Sequence, residues 1–358
     1  MISHSRPTIQ KKDLEEALAV LISDKLATGD VIYDFERAFA NYFGKSYSAV
    51  FVSTGTAALT LILDQLGIAE GDEIILSAYL NASPLSAILQ CKAKPVLVDI
   101  GDNTYNMDMD EVHAKITDRT KAIIVSHMFG SVALIDELSE VKVPIIEDCG
   151  HSLGARFKDT QPGSFGDFAY FSFAATRMIT SGGAGGMILT RKKGVEGIRD
   201  MRHYDKKDDF KKRYNFFPTD LQAAIGLAEL RELDKDNPVR NKGMLQLRKE
   251  IAAIYTASAM QAKCSRPIVH DAEVPNNYRY VVKLNGEMSV QETIDMFKRQ
   301  EVEVARPVYK PLYHYLGISR SEFPKAEDAH RKSVSLPIYP SLLKKQVELI
   351  SKLIKRIR

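Results

Sequence analysis

The sequence predicts an α/β fold in which a mostly parallel sheet lies between two layers of helices, followed by a smaller α+β region. Short apolar runs alternate with helical apolar spacing over the first two thirds of the chain. These runs are almost continuously apolar, which is typical of strands buried on both faces. The alternation of strands with helices indicates a three-layer arrangement. With 358 residues, 45% of them hydrophobic, the chain is long enough for two domains.

Each predicted element follows from its own spacing. Helical patterns occupy 12–23, 34–43, 219–235 and about 238–259. Predicted strands of the first region are 48–53, 73–76, 95–100, 121–128, 143–148, 170–173 and 186–190. Later elements are strands at 278–284 and 302–309, a helix at 290–300 and a closing basic helix. We therefore expect a large α/β domain at 1–235, with a helical N-terminal segment, and a small α+β domain at 236–358.

Composition argues against several classes of protein. The net charge is only +3, from 49 basic and 46 acidic residues, so we expect no nucleic-acid or membrane partner. Cys91, Cys149 and Cys264 are odd in number and scattered, which predicts neither a disulfide framework nor a metal site. The N-terminus has no apolar signal core, and no apolar run is long enough to cross a bilayer. These features favour the cytoplasm.

The stretch STGTAAL, residues 53–59, joins a predicted strand to a predicted helix. Gly55 lets the backbone approach a ligand closely, and Thr54 and Thr56 supply hydroxyl groups. The start of a helix offers unpaired N–H groups, which suit an anion and best of all a phosphate. A plain turn with a threonine cap explains this stretch alone equally well.

The stretch IIEDCGHSLGA, residues 145–155, ends a buried strand with two acids and a histidine. Carboxylates at the carboxyl ends of sheet strands lie where α/β proteins bind ligands. Asp148 is suited to pairing with a protonated ring nitrogen, and His151 to donating to a ring oxygen. The alternative is a surface acid that caps the next turn.

Three further places carry polar groups suited to a ligand. Ser172 stands between two phenylalanines in a predicted strand, and Asn215 precedes a predicted helix. A loop-like segment near residues 306–317 combines Arg306, Tyr309 and His314 with further polar side chains. The plainer explanations are a core serine for Ser172, a helix cap for Asn215 and an ordinary surface loop for the segment near residues 306–317.

Taken in order, these stretches resemble the DegT–DnrJ–StrS family of nucleotide-sugar aminotransferases, which are fold-type I pyridoxal-phosphate (PLP) transferases. The resemblance covers nearly the whole chain. Segments in family order are LATGDVIYDFERAFANYFGKSYSAVFVSTGTAALTLIL, GDEIILSAYLNAS, AKPVLVDIGDNTYNMD, RTKAIIVSHMFG, IIEDCGHSLGA, GSFGDFAYFSF and LPIYP. Each is weak alone, but seven in register identify the family.

The resemblance implies roles in holding PLP or its amine form, pyridoxamine phosphate (PMP). Gly55, Thr56 and Ser172 would hold the phosphate. Asp148 would pair with the pyridine nitrogen, which keeps the ring protonated and electron-withdrawing. His151 would lie near the ring oxygen.

The resemblance also implies partners. Asn215 would reach the cofactor phosphate of a neighbouring subunit, which requires a homodimer with shared active sites. The segment containing Arg306, Tyr309 and His314 would approach a nucleotide-sugar substrate. Glutamate is the implied amino donor, and the implied product serves polysaccharide or antibiotic sugar synthesis.

Three positions depart from the family pattern. Phe217 replaces a phosphate-proximal arginine or lysine. Asn81 stands where an aromatic residue usually stacks on the cofactor ring, with Tyr79 as a nearby substitute. Arg177 occupies the position of the lysine that bonds covalently to the cofactor, in the turn Ser172-Phe173-Ala174-Ala175-Thr176-Arg177.

Arginine at this position changes the expected chemistry. A guanidinium keeps its proton, with a pKa above ~12, and is a poor nucleophile and a poor base. We therefore expect cofactor binding without a covalent bond. Three explanations remain open: a substitution of a natural lysine that traps bound ligand, a natural member with altered chemistry resembling the sugar dehydratases that carry histidine here, or a non-catalytic paralogue that binds a sugar nucleotide or a partner enzyme.

Overall fold

A seven-stranded sheet organises the first part of the chain. The computed structural model describes residues 1–24, 26, 29–191, 194–233 and 243–358. The strands are β1 (Ser48–Val52), β2 (Glu73–Ser77), β3 (Lys94–Val98), β4 (Thr120–Ser126), β5 (Ile145–Asp148), β6 (Arg156–Phe157), β7 (Phe168–Ser172) and β8 (Gly186–Thr190). The sheet has the order β1-β8-β7-β5-β4-β2-β3, and β6 lies outside it. Only β8 runs antiparallel to its neighbours, β1 and β7.

Helices cover both faces of this sheet. They are α1 (Lys11–Ile22), α2 (Asp30–Phe43), α3 (Gly55–Gln65), α4 (Ala82–Gln90), α5 (Met109–Lys115), α6 (Val195–Met201) and α7 (Asp220–Glu232). Alternate residues of β1 enter different cores: Val50 packs in the core that includes α3, and Phe51 in the core that includes α2 and α7. Side chains leave a strand alternately on opposite faces, so burial of both sets requires two helical layers. The predicted three-layer α/β class is confirmed.

The C-terminal part of the chain builds a core of its own. Its helices are α8 (Met244–Ala259), α9 (Val290–Lys298), α10 (Leu312–Leu316), α11 (Pro324–Lys332) and α12 (Lys344–Ile354). Its strands are β9 (Cys264–Ser265), β10 (Glu273–Val274), β11 (Tyr280–Leu284) and β12 (Ser333–Leu336). The order β12-β11-β9 forms a three-stranded sheet, whereas β10 pairs with β6. Ile2 joins this second core from the other end of the chain.

The boundary between domains stays a prediction. We expect it between residues 235 and 236, which lie outside the described residues, as do the predicted helical residues 234–235 and 238–242. The expected strand at 302–309 is wrong. Val302 and Ala305 make only isolated bridges, to Ile2 and Ser335, and Pro307 has no N–H to extend the pairing. No helix in the described ranges is long and apolar enough to cross a bilayer.

Two buried acids lie where α1 packs against α7. Asp13 is 2% exposed and Glu229 is 3% exposed. Burial, followed by the nearby Asp13 carboxyl, raises the pKa of Glu229 to about 8, although the N–H of Thr180 donates to its Oε2 at 3.1 Å. Glu229 is therefore protonated in the folded protein at neutral pH, where an exposed glutamate is ionised.

Replacing Glu229 with glutamine is expected to flatten the pH dependence of stability. As pH rises from about 4.3 to about 8, unfolding releases a proton that folded Glu229 retains. The free energy of unfolding therefore falls through this window, by at most about 1.4 kcal/mol per pH unit for one group. Urea unfolding between about pH 5 and about pH 8 measures the slope. Glu348→Gln, an exposed change on α12, is the control. An unchanged slope in the Glu229 variant would contradict the assignment.

Candidate active site

A cavity of about 210 Å³ lies where β5 and β7 end and α3 begins. Seven residues singled out in the sequence line it: Thr54, Gly55, Thr56, Asn81, Asp148, Ser172 and Arg177. The carboxyl ends of the parallel strands β5 and β7 meet at one edge of the sheet, which is where such sheets bind ligands. The cavity thus joins an acid, hydroxyl groups and a helix start in a single space.

The start of α3 forms one end of the cavity. Thr54 caps the helix by accepting the N–H of Ala57 at 3.0 Å. Thr56 Oγ1 lies 2.7 Å from Ser83 Oγ. A Cβ on Gly55 would lie 3.0 Å from the Cβ of Ser172, so glycine lets the helix start rest on the end of β7. The first-turn N–H groups and these hydroxyls favour an anion here.

The carboxylate of Asp148, which also lines the cavity, is held by two donors. The Oγ of Ser126, its register partner on β4, donates to Oδ2 at 3.2 Å, and the N–H of Gly150 donates to Oδ1 at 3.0 Å. Tyr170 pairs with Asp148 across β5 and β7 and lines the same cavity. Burial, and then the charge of Asp148, raise the pKa of Tyr170 well above its usual range. Asp148 therefore presents a fixed carboxylate beside a neutral phenol.

Arg177 is a further residue of the cavity wall. Its Nη1 donates to the hydroxyl of Tyr278 at 3.3 Å. A Cβ built on Gly150 would lie 3.1 Å from Asp148 Oδ1 and 3.8 Å from Arg177 Cζ. The guanidinium thus lies on the Asp148 side of the cavity, yet no carboxylate of the described residues is within 4.0 Å of it. Its charge is free to act on a ligand.

His151 lies beside the cavity but not in its lining. The ring stacks on Tyr278, with centroids 4.5 Å apart, and on Phe129 at 5.8 Å. Burial, and then the charges of Arg177 and Arg279, hold the pKa of His151 well below its usual range. Nδ1 accepts the N–H of Phe129 at 3.4 Å, so the single proton is on Nε2. His151 is a neutral donor.

Comparison with known proteins identifies the architecture around this cavity. Residues 7–355 match the DegT/DnrJ/EryC1/StrS aminotransferase family. The chain belongs to this family. It is 33% identical to dTDP-3-amino-3,6-dideoxy-alpha-D-galactopyranose transaminase of Aneurinibacillus thermoaerophilus, over 97% of this chain and 95% of that protein.

Two further proteins are also similar to this chain. GDP-perosamine synthase of Escherichia coli O157:H7 is 31% identical over 96% of this chain and 94% of its own length. The Streptococcus pneumoniae protein Spr1654, solved in PLP and PMP forms, superposes with a TM-score of 0.89 at 26% identity. In its PLP form the match covers 99% of this chain and 97% of that one. The fold-type I transferase prediction is confirmed.

Tyr79 does not reach the cavity of this family member. It is fully buried and stacks on Tyr105, with centroids 5.8 Å apart. Asn81 lines the cavity instead and caps α4, accepting the N–H of Ser83 at 3.0 Å. The aromatic position of the family pattern is thus occupied by a helix cap in this chain.

Asn215 is exposed, does not line the cavity and forms an isolated backbone bridge with His203. Phe217, the neighbouring departure from the family pattern, packs beneath Arg202, whose Cζ lies 4.5 Å from the ring centre. Arg202 is itself bonded to Glu36 at 2.7 Å. That cation is neutralised and buried, so it does not replace the missing phosphate-proximal charge.

The predicted substrate residues lie outside the cavity lining. Arg306 donates to the carbonyl of His330, and Tyr309 is 88% exposed. His314 Nε2 lies 3.1 Å from a carboxylate oxygen of Glu327, which also accepts the Tyr313 hydroxyl at 2.9 Å. The charge of Arg306 acts on buried Tyr79, which does not line the cavity either.

Sequence reasoning missed Ser83, Tyr170, Tyr278 and Arg279. Tyr278 and Arg279 begin the stretch YRYVVKL. A positively charged residue at the start of a predicted apolar strand is the sequence feature that could have pointed to them.

A separate buried group consists of His127, Glu147 and Cys149. These residue types can bind metals, and their donor atoms lie within 4.8 Å of one another. The Glu147 oxygens, however, accept three backbone N–H groups and His127 Nε2. These hydrogen bonds give the Glu147 carboxylate a structural role.

Proposed function

We propose that this chain is a PLP- or PMP-binding aminotransferase of nucleotide-linked keto sugars, with glutamate as amino donor, in which Arg177 prevents covalent attachment of the cofactor. The observation that carries the proposal is the shared cavity of the α3 start, Asp148, Ser172 and Arg177. The names of relatives support the substrate class, since they include dTDP- and GDP-sugar enzymes. A spore coat polysaccharide biosynthesis protein supports a role in polysaccharide synthesis.

The residues of the cavity fit the cofactor. The α3 start, with Thr56 and Ser172, offers N–H and hydroxyl donors for a phosphate. Asp148 offers an oriented carboxylate for a protonated ring nitrogen. When bound, the cofactor would supply a carbonyl or amine for exchange and a ring that withdraws electrons. These donors and this acid match its two charged groups.

Each residue then has a defined task. Asp148 would keep a proton on the ring nitrogen of the bound cofactor by ion pairing. Neutral His151, with its proton on Nε2, is oriented through the stack with Tyr278. Arg177 neither attacks a carbonyl nor accepts a proton, because its guanidinium stays charged. It holds an anionic or oxygen-bearing part of the ligand instead.

The second candidate is a member that binds PMP, a sugar nucleotide or a partner enzyme without ordinary transamination, including dehydratase-like chemistry. Arg177 favours it, and so do the two other departures, because Asn81 leaves no aromatic ring in the expected place. Phe217 offers no positive charge to a cofactor phosphate. A substitution at position 177 alone would not explain the departures at Asn81 and Phe217.

A homodimer in the cytoplasm completes the proposal. The side of α1 that faces away from α7 exposes Leu14, Leu18, Leu21 and Ile22 at 59%, 53%, 48% and 73%. Such an apolar stripe is typical of a protein interface, and a second copy is the proposed occupant. The described cysteines are free thiols, which suits a reducing compartment. Cell fractionation tests that location.

Titration calorimetry of the purified chain tests the function. PMP and PLP are expected to bind, and Asp148→Asn is expected to weaken both about tenfold or more by removing a charged contact. Asp110→Asn on the exposed surface of α5 is the control. Binding of dTDP- or GDP-sugars without either cofactor would favour the second candidate. Binding of none would refute the first candidate and leave, of the second, only a member that binds a partner enzyme. Sedimentation of the same sample should give the mass of two chains.

A further inference from the structure

Two guanidinium groups flank one buried tyrosine beside the cavity. The Cζ atoms of Arg177 and Arg279 each lie 5.6 Å from the centre of the Tyr278 ring. Arg177 lines the cavity and donates to the Tyr278 hydroxyl. Arg279 acts electrostatically on Tyr278, His151 and Tyr79. The two charges thus act on the same small region.

Neither guanidinium forms an ion pair with a described residue. In the described part of the chain, no carboxylate oxygen lies within 4.0 Å of Arg177 or Arg279. Arg202, in contrast, pairs with Glu36 at 2.7 Å. Burial alone would raise the pKa of Tyr278, but the charges of Arg177 and Arg279 lower it below its usual value. Half-buried cations without a counter-ion attract an anion from solution.

The surrounding contacts hold this pair in place. Asn276 Nδ2 donates to the carbonyls of His151 and Leu153 at 2.9 Å each, and its Oδ1 accepts the N–H of Tyr278 at 2.8 Å. The N–H of Arg279 donates to the carbonyl of Phe129 at 3.3 Å. The loop that carries Tyr278 and Arg279 is therefore fixed against the loop that carries His151. A fixed site loses little entropy when it binds a ligand.

We propose that Arg177 and Arg279 form a binding site for a carboxylate group of the substrate, located beside Tyr278 at the wall of the cavity. The inference rests on the proposed function, which places a small anionic substrate next to the cofactor. A guanidinium matches a planar carboxylate with two parallel hydrogen bonds. The phosphate-type donors lie elsewhere, at the start of α3. The carboxylate belongs either to the amino acid donor or to a sugar acid.

Titration calorimetry of the full chain with L-glutamate, D-glucuronate and inorganic phosphate tests the site. Arg279→Met is expected to weaken carboxylate binding about tenfold or more, the effect of losing one charged hydrogen bond. Arg266→Met is the matched control, because Arg266 also lies over a tyrosine, 4.7 Å from the Tyr280 ring centre, but away from this cavity. If Arg279→Met weakens the binding of glutamate alone, the carboxylate belongs to the amino donor. If it weakens the binding of glucuronate alone, the carboxylate belongs to a sugar acid.

A spectroscopic readout separates this site from a structural role. A bound carboxylate would partly neutralise the two guanidinium groups and so raise the pKa of Tyr278. In a titration with base, the absorbance of the Tyr278 phenolate should then appear at a higher pH. Tyr278→Phe removes that signal. A preference of the Arg279-dependent binding for phosphate, no carboxylate binding at millimolar concentration, or equal carboxylate binding in the Arg279 and Arg266 variants would overturn the inference. PMP binding to the unaltered chain tests the proposed function separately.

Discussion

Replacing Arg177 with lysine is expected to give a protein that turns yellow with PLP and gains glutamate-dependent amination of a nucleotide-linked keto sugar. Lysine supplies an amine that, once deprotonated, is both a nucleophile and a proton carrier, whereas guanidinium is neither. The expected gain in rate is at least about a hundredfold, the lower range for a positioned acid–base group. A visible absorption band and a coupled assay for 2-oxoglutarate measure the two effects.

The surroundings of residue 177 favour a reactive amine. Arg279 lies on the other flank of Tyr278, and a nearby like charge lowers the pKa of a lysine. More of the amine is then unprotonated at neutral pH, as nucleophilic lysines require. The position is already on the cavity wall beside Asp148 and Gly150.

Arg177→Met is the matched control for this change. Methionine removes the positive charge without adding an amine, so it should give neither the band nor the activity. Equal activity in the lysine and methionine variants would contradict the assigned role of residue 177. PLP binding to the lysine variant without any absorption change would count against a covalent site, and would favour the second candidate function.

The sequence predicts those parts of the site that depend on strand ends. Asp148 and Ser172 end neighbouring parallel strands, and Gly55 starts the helix that rests on one of them, so local pattern and sheet geometry bring them together. Tyr278 is 101 residues from Arg177. The contact between Tyr278 and Arg177 depends on how the C-terminal part of the chain packs on the part that contains the seven-stranded sheet. No local sequence pattern encodes that packing.

Tyr79 illustrates the limit of positional reasoning within one segment. It precedes Asn81 by two residues, yet it is buried against Tyr105 while Asn81 lines the cavity. A side chain's direction there depends on where β2 stops at Ser77 and α4 starts at Ala82. Pattern reasoning rarely fixes such ends to within a residue. The incorrect strand at 302–309 has a different cause, because Pro307 lacks the N–H that would extend the isolated bridges of Val302 and Ala305.

Glu147 is expected to be the most sensitive position for stability among the polar groups near the site. It is fully buried. Its oxygens accept the N–H groups of Gly163 at 2.7 Å, Phe165 at 2.8 Å and Gly166 at 2.7 Å. His127 Nε2 donates to it at 2.9 Å, because Nδ1 of that ring accepts the N–H of Ala133. The Glu147 carboxylate therefore stabilises the turn at residues 163–166, which leads into β7.

Glu147→Ala is expected to lower the free energy of unfolding by about 3–5 kcal/mol, the cost of leaving buried polar groups unpaired. Glu147→Gln keeps the shape but turns one acceptor into a donor that faces N–H groups, so it should cost less than alanine and still more than about 1 kcal/mol. Urea unfolding measures both, with Glu140→Ala, an exposed change nearby, as the control. Since the turn also positions Ser172, PMP binding should weaken in the glutamine variant under conditions where it remains folded. Stability of the alanine variant equal to that of the control would show that the turn is held by other contacts.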